Sequence, residues 1–270
     1  MIDRLGFGCV ALTSFATPGE AMRLLNTAYD LGIRHFDTAP IYGQGYSERL
    51  LGRFLRGRRD RVTVATKFGL TPPRTPNLPL AAALALNAVR RRLARRRAET
   101  PSAPATAEPV EPDRRRIERS EIEAAFDASR RSLGIDHIDL YLLHEEVPAA
   151  LTPQAFDYLQ SLRASGKVRR LGLAAPATRY GALSPEDLEG WDVLQYEAGP
   201  AWPGSAGLIA RFPAQQHIFH SCLKGVARDG DPQAAGRALA ERLTANPQGL
   251  VLFSSTRPDH VRTNLRVLAG

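Results

Sequence analysis

Apolar positions along the chain fall into two alternating periods. Short runs rich in β-branched and aliphatic residues lie at 5–10, 33–37, 62–67, 138–143, 168–173, 193–196, 217–220 and 250–253, and they predict eight strands. Between them the period lengthens to that of an amphipathic helix, at 18–31, 48–55, 117–133, 153–165, 184–189, 205–211, 231–244 and 258–268. Thr17-Pro18, Thr152-Pro153 and Ser184-Pro185 each set a capping side chain before a proline suited to the first helical position, and Gly32, Gly134 and Gly166 mark helix ends. Strand and helix alternating eight times predict an α/β chain, a (β/α)8 TIM barrel occupying 1–270 as one domain. A doubly wound open sheet is the competing arrangement. In a barrel, chemistry collects at the C-terminal strand ends, which brings forward Asp37, Lys67, His144, Gln195, Tyr196, His220, Ser221, Ser254 and Ser255.

Composition changes this picture in one segment. Hydrophobic residues make up 43% and charged residues 24% of the 270, ordinary for a chain with a sizeable core. The net charge of +8 would suggest nucleic acid if it were spread out, but residues 70–119 hold eleven arginines against five acidic residues, +6 of the total. Eight of the twenty prolines are there too. The segment at about 70–117 is therefore expected to be an Arg/Pro-rich insertion after strand three carrying one helix at 80–97, either solvated or facing an acidic partner. No apolar run reaches the roughly 18 residues of a membrane span, and the N-terminus lacks the pattern of a secretory signal. Cys9 and Cys222 read as reduced thiols. The expected setting is the cytoplasm, with no nucleic-acid or membrane partner; the oligomeric state is not encoded in any recognisable pattern.

The chemistry-bearing residues are more specific. The run at 32–43, Gly-Ile-Arg-His-Phe-Asp-Thr-Ala-Pro-Ile-Tyr-Gly, followed by Ser47-Glu48 and Leu51-Gly52, resembles the signature of the aldo-keto reductases. So do Thr66-Lys67, the run Asp-Leu-Tyr-Leu-Leu-His at 139–144, and Ser-Ser-Thr-Arg-Pro-Asp-His-Val-Arg-Thr-Asn at 254–264. The likeness extends from about residue 5 to residue 268 around the insertion, and its loop spacing is nearer the galactose and aldose dehydrogenases than the long-tailed steroid reductases. It implies catalytic positions at Asp37, Tyr42, Lys67 and His144. Taken singly, Asp37 fits a turn, Tyr42 a half-buried aromatic and His144 a core histidine. Together they make a proton-transfer group: a phenol with an ordinary pKa near 10 needs a cation such as Lys67 to favour ionisation, Asp37 can hold that cation, and His144 can orient a carbonyl. With 33 arginines and only three lysines, the chain places a lysine where a compact amine suits the role. The histidines and cysteines have no metal-ligand spacing, so no metal is expected.

The resemblance also implies a nicotinamide dinucleotide, bound through Gln195, His220, Ser221, Leu223, Ser254, Ser255, Thr256, Arg257, Arg262 and Asn264. Hydroxyls, a helix start and two guanidinium groups at 254–264 favour NADP(H) over NAD(H). Three features depart from the family pattern. Ala174-Ala175 stands where a Ser-Asn pair usually holds the carboxamide, His220 where an aromatic usually stacks, and the chain has neither the N-terminal hairpin nor a long C-terminal tail. Substrate contacts are then expected from the insertion, from Glu145-Glu146 and from the region of Trp202. The function expected is NADP-dependent interconversion of a small carbonyl compound, an aldehyde, ketone or sugar-like substrate, with its alcohol, Tyr42 being the acid/base. The alternatives are a non-redox barrel (lyase, isomerase or partner subunit) with a weakened nicotinamide site, and an adaptor acting through the basic helix.

Overall fold

The structure, a computed structural model, describes residues 1–71, 79–82, 84–86, 89, 116–226 and 231–269. Eight parallel strands close into a barrel in chain order: β1 (Leu5–Gly8), β2 (His35–Asp37), β3 (Thr63–Phe68), β4 (Ile138–His144), β5 (Val168–Ala174), β6 (Val193–Glu197), β7 (Gln216–His220) and β8 (Leu250–Phe253). β8 pairs with β1, so the open sheet is ruled out. Around the barrel run α1 (Pro18–Asp30), α2 (Tyr46–Leu55), α3 (Arg119–Leu133), α4 (Pro153–Ala164), α5 (Ala177–Tyr180), α6 (Leu208–Arg211), α7 (Ala234–Ala245) and α8 (Pro258–Ala269). Among the described residues no helix is long and apolar enough to cross a membrane.

The cap signals act as their chemistry requires. Thr17 and Glu20 form a reciprocal capping box at the start of α1, Thr152 accepts from the Ala155 N–H at the start of α4, and Gly134 closes α3 with φ +64°. Two expectations need correction. The segment 184–189 forms only a 3-10 turn, Glu186–Leu188, because the backbone turns away after one cycle; the helix following β5 is the short α5. β1 ends at Gly8, and Cys9–Ser14 coils into a 3-10 turn. Of the helix expected at 80–97, the described positions 80–82, 84–86 and 89 are helical, with Leu80 and Leu84 buried in the outer core; the rest of the insertion lies outside the described residues.

The core has two layers. Outward-facing strand residues pack under the helices, while Ala65, Leu140, Leu142, Ala174, Val193, Ile218 and Leu252 form an apolar cluster inside the barrel. Strands buried on both faces lose the simple alternation of an exposed sheet, which is why they read as continuous apolar runs. The interior is close-packed at Gly172, where a Cβ would stand 2.7 Å from the Val193 carbonyl oxygen and the same distance from Leu142 Cδ2. Gly172→Ala is therefore expected to destabilise the protein by about 1–3 kcal/mol, read from its urea midpoint; an unchanged midpoint would show that β5 has slack the packing denies.

Candidate active site

The last inward-facing position on each strand, or the residue just after it, opens onto one cavity of about 490 Å³. Gly8, Asp37, Lys67, His144, Ala174, Gln195, His220 and Ser254 supply one residue from each strand in turn, and Tyr42 joins them from the β2–α2 turn. That turn is tight: Gly43, Gln44 and Gly45 all have positive φ, and a Cβ on Gly43 would meet the Thr13 side chain. The Tyr-Gly-Gln-Gly run thus bends the chain sharply enough to return Tyr42 over the barrel mouth before α2 begins.

A buried ion pair lies under that phenol. Lys67 Nζ donates to Asp37 Oδ1 at 2.6 Å and to the Thr38 carbonyl at 2.9 Å, with Lys67 2% and Asp37 4% exposed. The other aspartate oxygen, Oδ2, accepts from Gln195 Nε2 at 2.8 Å. The Lys67 ammonium stands 5.1 Å from the Tyr42 ring centroid and bonds its hydroxyl, and the His144 ring meets the Tyr42 ring edge-on at 6.2 Å. A further chain runs outward, from Thr38 Oγ1 to Ser47 Oγ at 2.8 Å and from Ser47 Oγ to the Cys9 carbonyl at 3.0 Å.

These contacts set the charge states. Burial raises the Asp37 carboxyl, but the charge and hydrogen bond of Lys67, with the Gln195 amide, more than reverse it and hold Asp37 below its ordinary value. Burial lowers Lys67, and Asp37 and Tyr42 more than restore it, so the ammonium persists. Burial raises the Tyr42 phenol; Lys67 opposes this without cancelling it, leaving a neutral phenol poised as a proton donor. His144 falls to about 3 through burial first and Lys67 second, so it is an uncharged imidazole with no hydrogen-bond partner among the described residues.

The remaining expected residues divide between two places. Ser221, Leu223 and Ser254 line the main cavity with His220, whose Nδ1 shares a 2.9 Å hydrogen bond with the Ser221 hydroxyl. A second cavity of about 460 Å³ shares Leu223 and Ser254 with the first, so the two adjoin, and it adds Ser255, Asn264, His260, Thr263 and Asp231. Thr256, Arg257 and Arg262 are exposed and line neither cavity, and Arg262 pairs with Asp259. His260 and Asn264, four residues apart on α8, both border this second cavity, Asn264 buried and His260 exposed at its rim; that spacing was the available signal for His260. Ala174 presents only a methyl group to the main cavity. Tyr180, which no sequence pattern marks, accepts from the Ala175 N–H and donates to the Gln195 carbonyl, each at 3.0 Å, tying β5 to β6 where Gln195 must be held.

Three histidines, His35 and His144 buried and His220 partly so, make stability depend on pH in a defined direction. His35, His144 and His220 are lowered to about 4, 3 and 4, each chiefly by burial. Between those values and the ordinary 6.5 the unfolded chain binds protons that the folded chain refuses. Stability should be complete above pH 6.5 and fall as pH drops towards 4, outweighing the opposite contribution of Glu48, whose carboxyl burial raises. Urea midpoints at pH 7 and pH 5 test this; a midpoint at pH 5 equal to or above that at pH 7 would contradict it.

Comparison with known proteins gives this geometry a family. The sequence profile described as the Aldo/keto reductase family matches residues 4–190, a span containing Asp37, Tyr42, Lys67 and His144. A D-threo-aldose 1-dehydrogenase of a Pseudomonas species is 34% identical over 187 residues, 64% of this chain and 50% of that protein. An aldo-keto reductase of Schizosaccharomyces pombe whose name carries NADP(+) is 30% identical over 178 residues, 64% of this chain and 42% of that protein. The chain thus spans half or less of the length of these two relatives. Among solved structures, an aldo-keto reductase from Bacillus halodurans in its holo form superposes with a TM-score of 0.67 at 18% identity, covering 99% of this chain and 87% of that one, a likeness of fold. The chain belongs to the aldo/keto reductase family.

Proposed function

We propose that this chain is an NADP(H)-dependent oxidoreductase that interconverts a small aldehyde, ketone or sugar-like carbonyl compound with its alcohol. The observation that carries this reading is the buried Lys67–Asp37 pair directly beneath the Tyr42 phenol, with an uncharged His144 beside it. A carbonyl oxygen entering the mouth is oriented by an N–H from the neutral His144 ring. As that oxygen gains negative charge, Tyr42 gives it the phenolic proton, and the Lys67 ammonium stabilises the phenolate left behind. Asp37 keeps Lys67 protonated and in place, and Gln195 fixes the aspartate. In the oxidative direction the same phenolate accepts the alcohol proton.

The dinucleotide, when bound, supplies or receives the hydride. Its nicotinamide end would rest against His220 and Ala174, with Gln195 offering its Oε1 and the one N–H of Nε2 that Asp37 does not take. Its phosphates and adenosine would follow Ser221, Leu223 and Ser254 to the pocket of Ser255, His260 and Asn264 at the start of α8. The preference for NADP(H) is supported by the name of the Schizosaccharomyces pombe relative. Both cysteines are free and buried, consistent with a cytoplasmic setting.

Ala174 favours one rival, a non-redox barrel, because it removes a polar anchor at the nicotinamide. A fluorescence titration with NADPH and with NADH separates the two, since failure of both nucleotides to bind would favour the rival. Tyr42→Phe should lower carbonyl reduction by about a thousandfold while leaving NADPH affinity nearly unchanged. Full turnover in that variant would contradict the role given to Tyr42.

A further inference from the structure

The charges lining the main cavity are unevenly partnered. Among the described residues that line it, Asp37, Lys67, Glu145 and Lys224 are the acidic and basic side chains, His144 and His220 being neutral. Asp37 and Lys67 neutralise each other. Lys224 stands in the turn after β7, with Nζ 4.5 Å from the Trp202 ring centroid, on the side where Ser221, Leu223 and Ser254 lead into the second cavity. Glu145 immediately follows β4, and β4 lies opposite β8 in a ring of eight strands taken in chain order. A dinucleotide running from β7 to α8 would take up Lys224 and leave Glu145 facing whatever enters beside it.

The backbone of Glu145 is fixed in that position, and its side chain is exposed at the cavity mouth. Its φ of +61° is unusual for a residue with a side chain, and its N–H donates to the Ala174 carbonyl at 2.7 Å, so its backbone is tied to the end of β5. The neighbouring acids are occupied. Glu146 pairs with Arg179 at 3.0 Å, and Glu197 accepts from the Ala177 N–H at 3.3 Å. The Glu145 carboxylate takes no hydrogen bond or ion pair from the described residues. It borders His144, whose imidazole is 6% exposed and likewise unpartnered at the same cavity. Burial raises the Glu145 carboxyl, Arg179 opposes this, and Glu197 and Glu146 add to the rise, as expected of a carboxylate held among others with too little cation nearby.

We propose that Glu145 sets substrate class at this site: it selects uncharged carbonyl compounds carrying a hydroxyl group, which can donate to its carboxylate, and disfavours carbonyl compounds bearing a carboxylate. This rests on the oxidoreductase reading above. A substrate carboxylate brought beside Glu145 at the cavity mouth is repelled by it, whereas a hydroxyl gains a charge-assisted hydrogen bond. Discrimination therefore comes from both attraction and exclusion.

The matched pair 4-(hydroxymethyl)benzaldehyde and 4-carboxybenzaldehyde tests it, through the ratio of their kcat/KM values with NADPH in the wild type, Glu145→Gln and Glu145→Asn. Asparagine suits a left-handed backbone, so it separates loss of charge from backbone strain. The wild type should favour the hydroxymethyl compound, and both neutral variants should narrow that preference by about tenfold, mainly by improving turnover of the carboxylate. A ratio unchanged in both variants, with the hydroxymethyl compound still reduced, overturns the inference and leaves the oxidoreductase reading standing. If the wild type reduces neither aldehyde with NADPH or NADH, the oxidoreductase reading falls and this inference falls with it.

Discussion

Everything at the mouth of this barrel depends on keeping an ammonium and a carboxylate buried together. Removing either ion from water costs several kcal/mol, and their attraction offsets that cost only where the geometry is close and the remaining donors and acceptors are satisfied. Here the Lys67–Asp37 distance is 2.6 Å, the second aspartate oxygen is bonded by Gln195, and the lysine also reaches the Thr38 carbonyl. Three strands and a turn must therefore be in register at once. Barrel closure provides that register, and the apolar cluster from Ala65 to Leu252 beneath the pair keeps water out from below.

The pair also explains the state of its neighbours. Burial alone would make the Tyr42 phenol a poor proton donor, and Lys67 is the one charge acting against it at hydrogen-bonding range. The same ammonium, added to burial, keeps His144 uncharged. Burial thus leaves both groups neutral, this cation adding to it at His144 and opposing it at Tyr42, a state suited to a polar carbonyl. The end proposed for the cofactor is less fully furnished, because Ala174 offers no hydrogen bond and one N–H of the Gln195 amide serves Asp37.

The barrel was legible because its strands are short apolar runs separated by helices with explicit caps, as at Thr17, Thr152 and Gly134. The four positions proposed to handle protons, Asp37, Tyr42, Lys67 and His144, stood out because they fall at strand ends or in a glycine turn beside one. Less legible was whatever depends on a partner far along the chain. Nothing local shows that Gln195 bonds Asp37, 158 residues away, or that Tyr180 bridges β5 to β6. Arg257 and Arg262 stood out by charge, yet both are exposed, and helix periodicity buries Asn264 instead. The short turn at 186–188 misled because its Ser-Pro start resembles a helix cap, and Ser184 does exchange hydrogen bonds with Asp187 without a helix following.

The role proposed for the Lys67 charge, kept by Asp37, is to tune the Tyr42 phenol. It is tested most directly by the pH profile of NADPH-dependent carbonyl reduction in the double variant Asp37→Asn, Lys67→Met, which removes both charges together and leaves no buried ion unpaired. Turnover should fall by at least about a hundredfold, and the alkaline limb of the profile should move to higher pH as the phenol loses the cation that favours its ionisation. A double variant with wild-type turnover and an unmoved alkaline limb would contradict the claim.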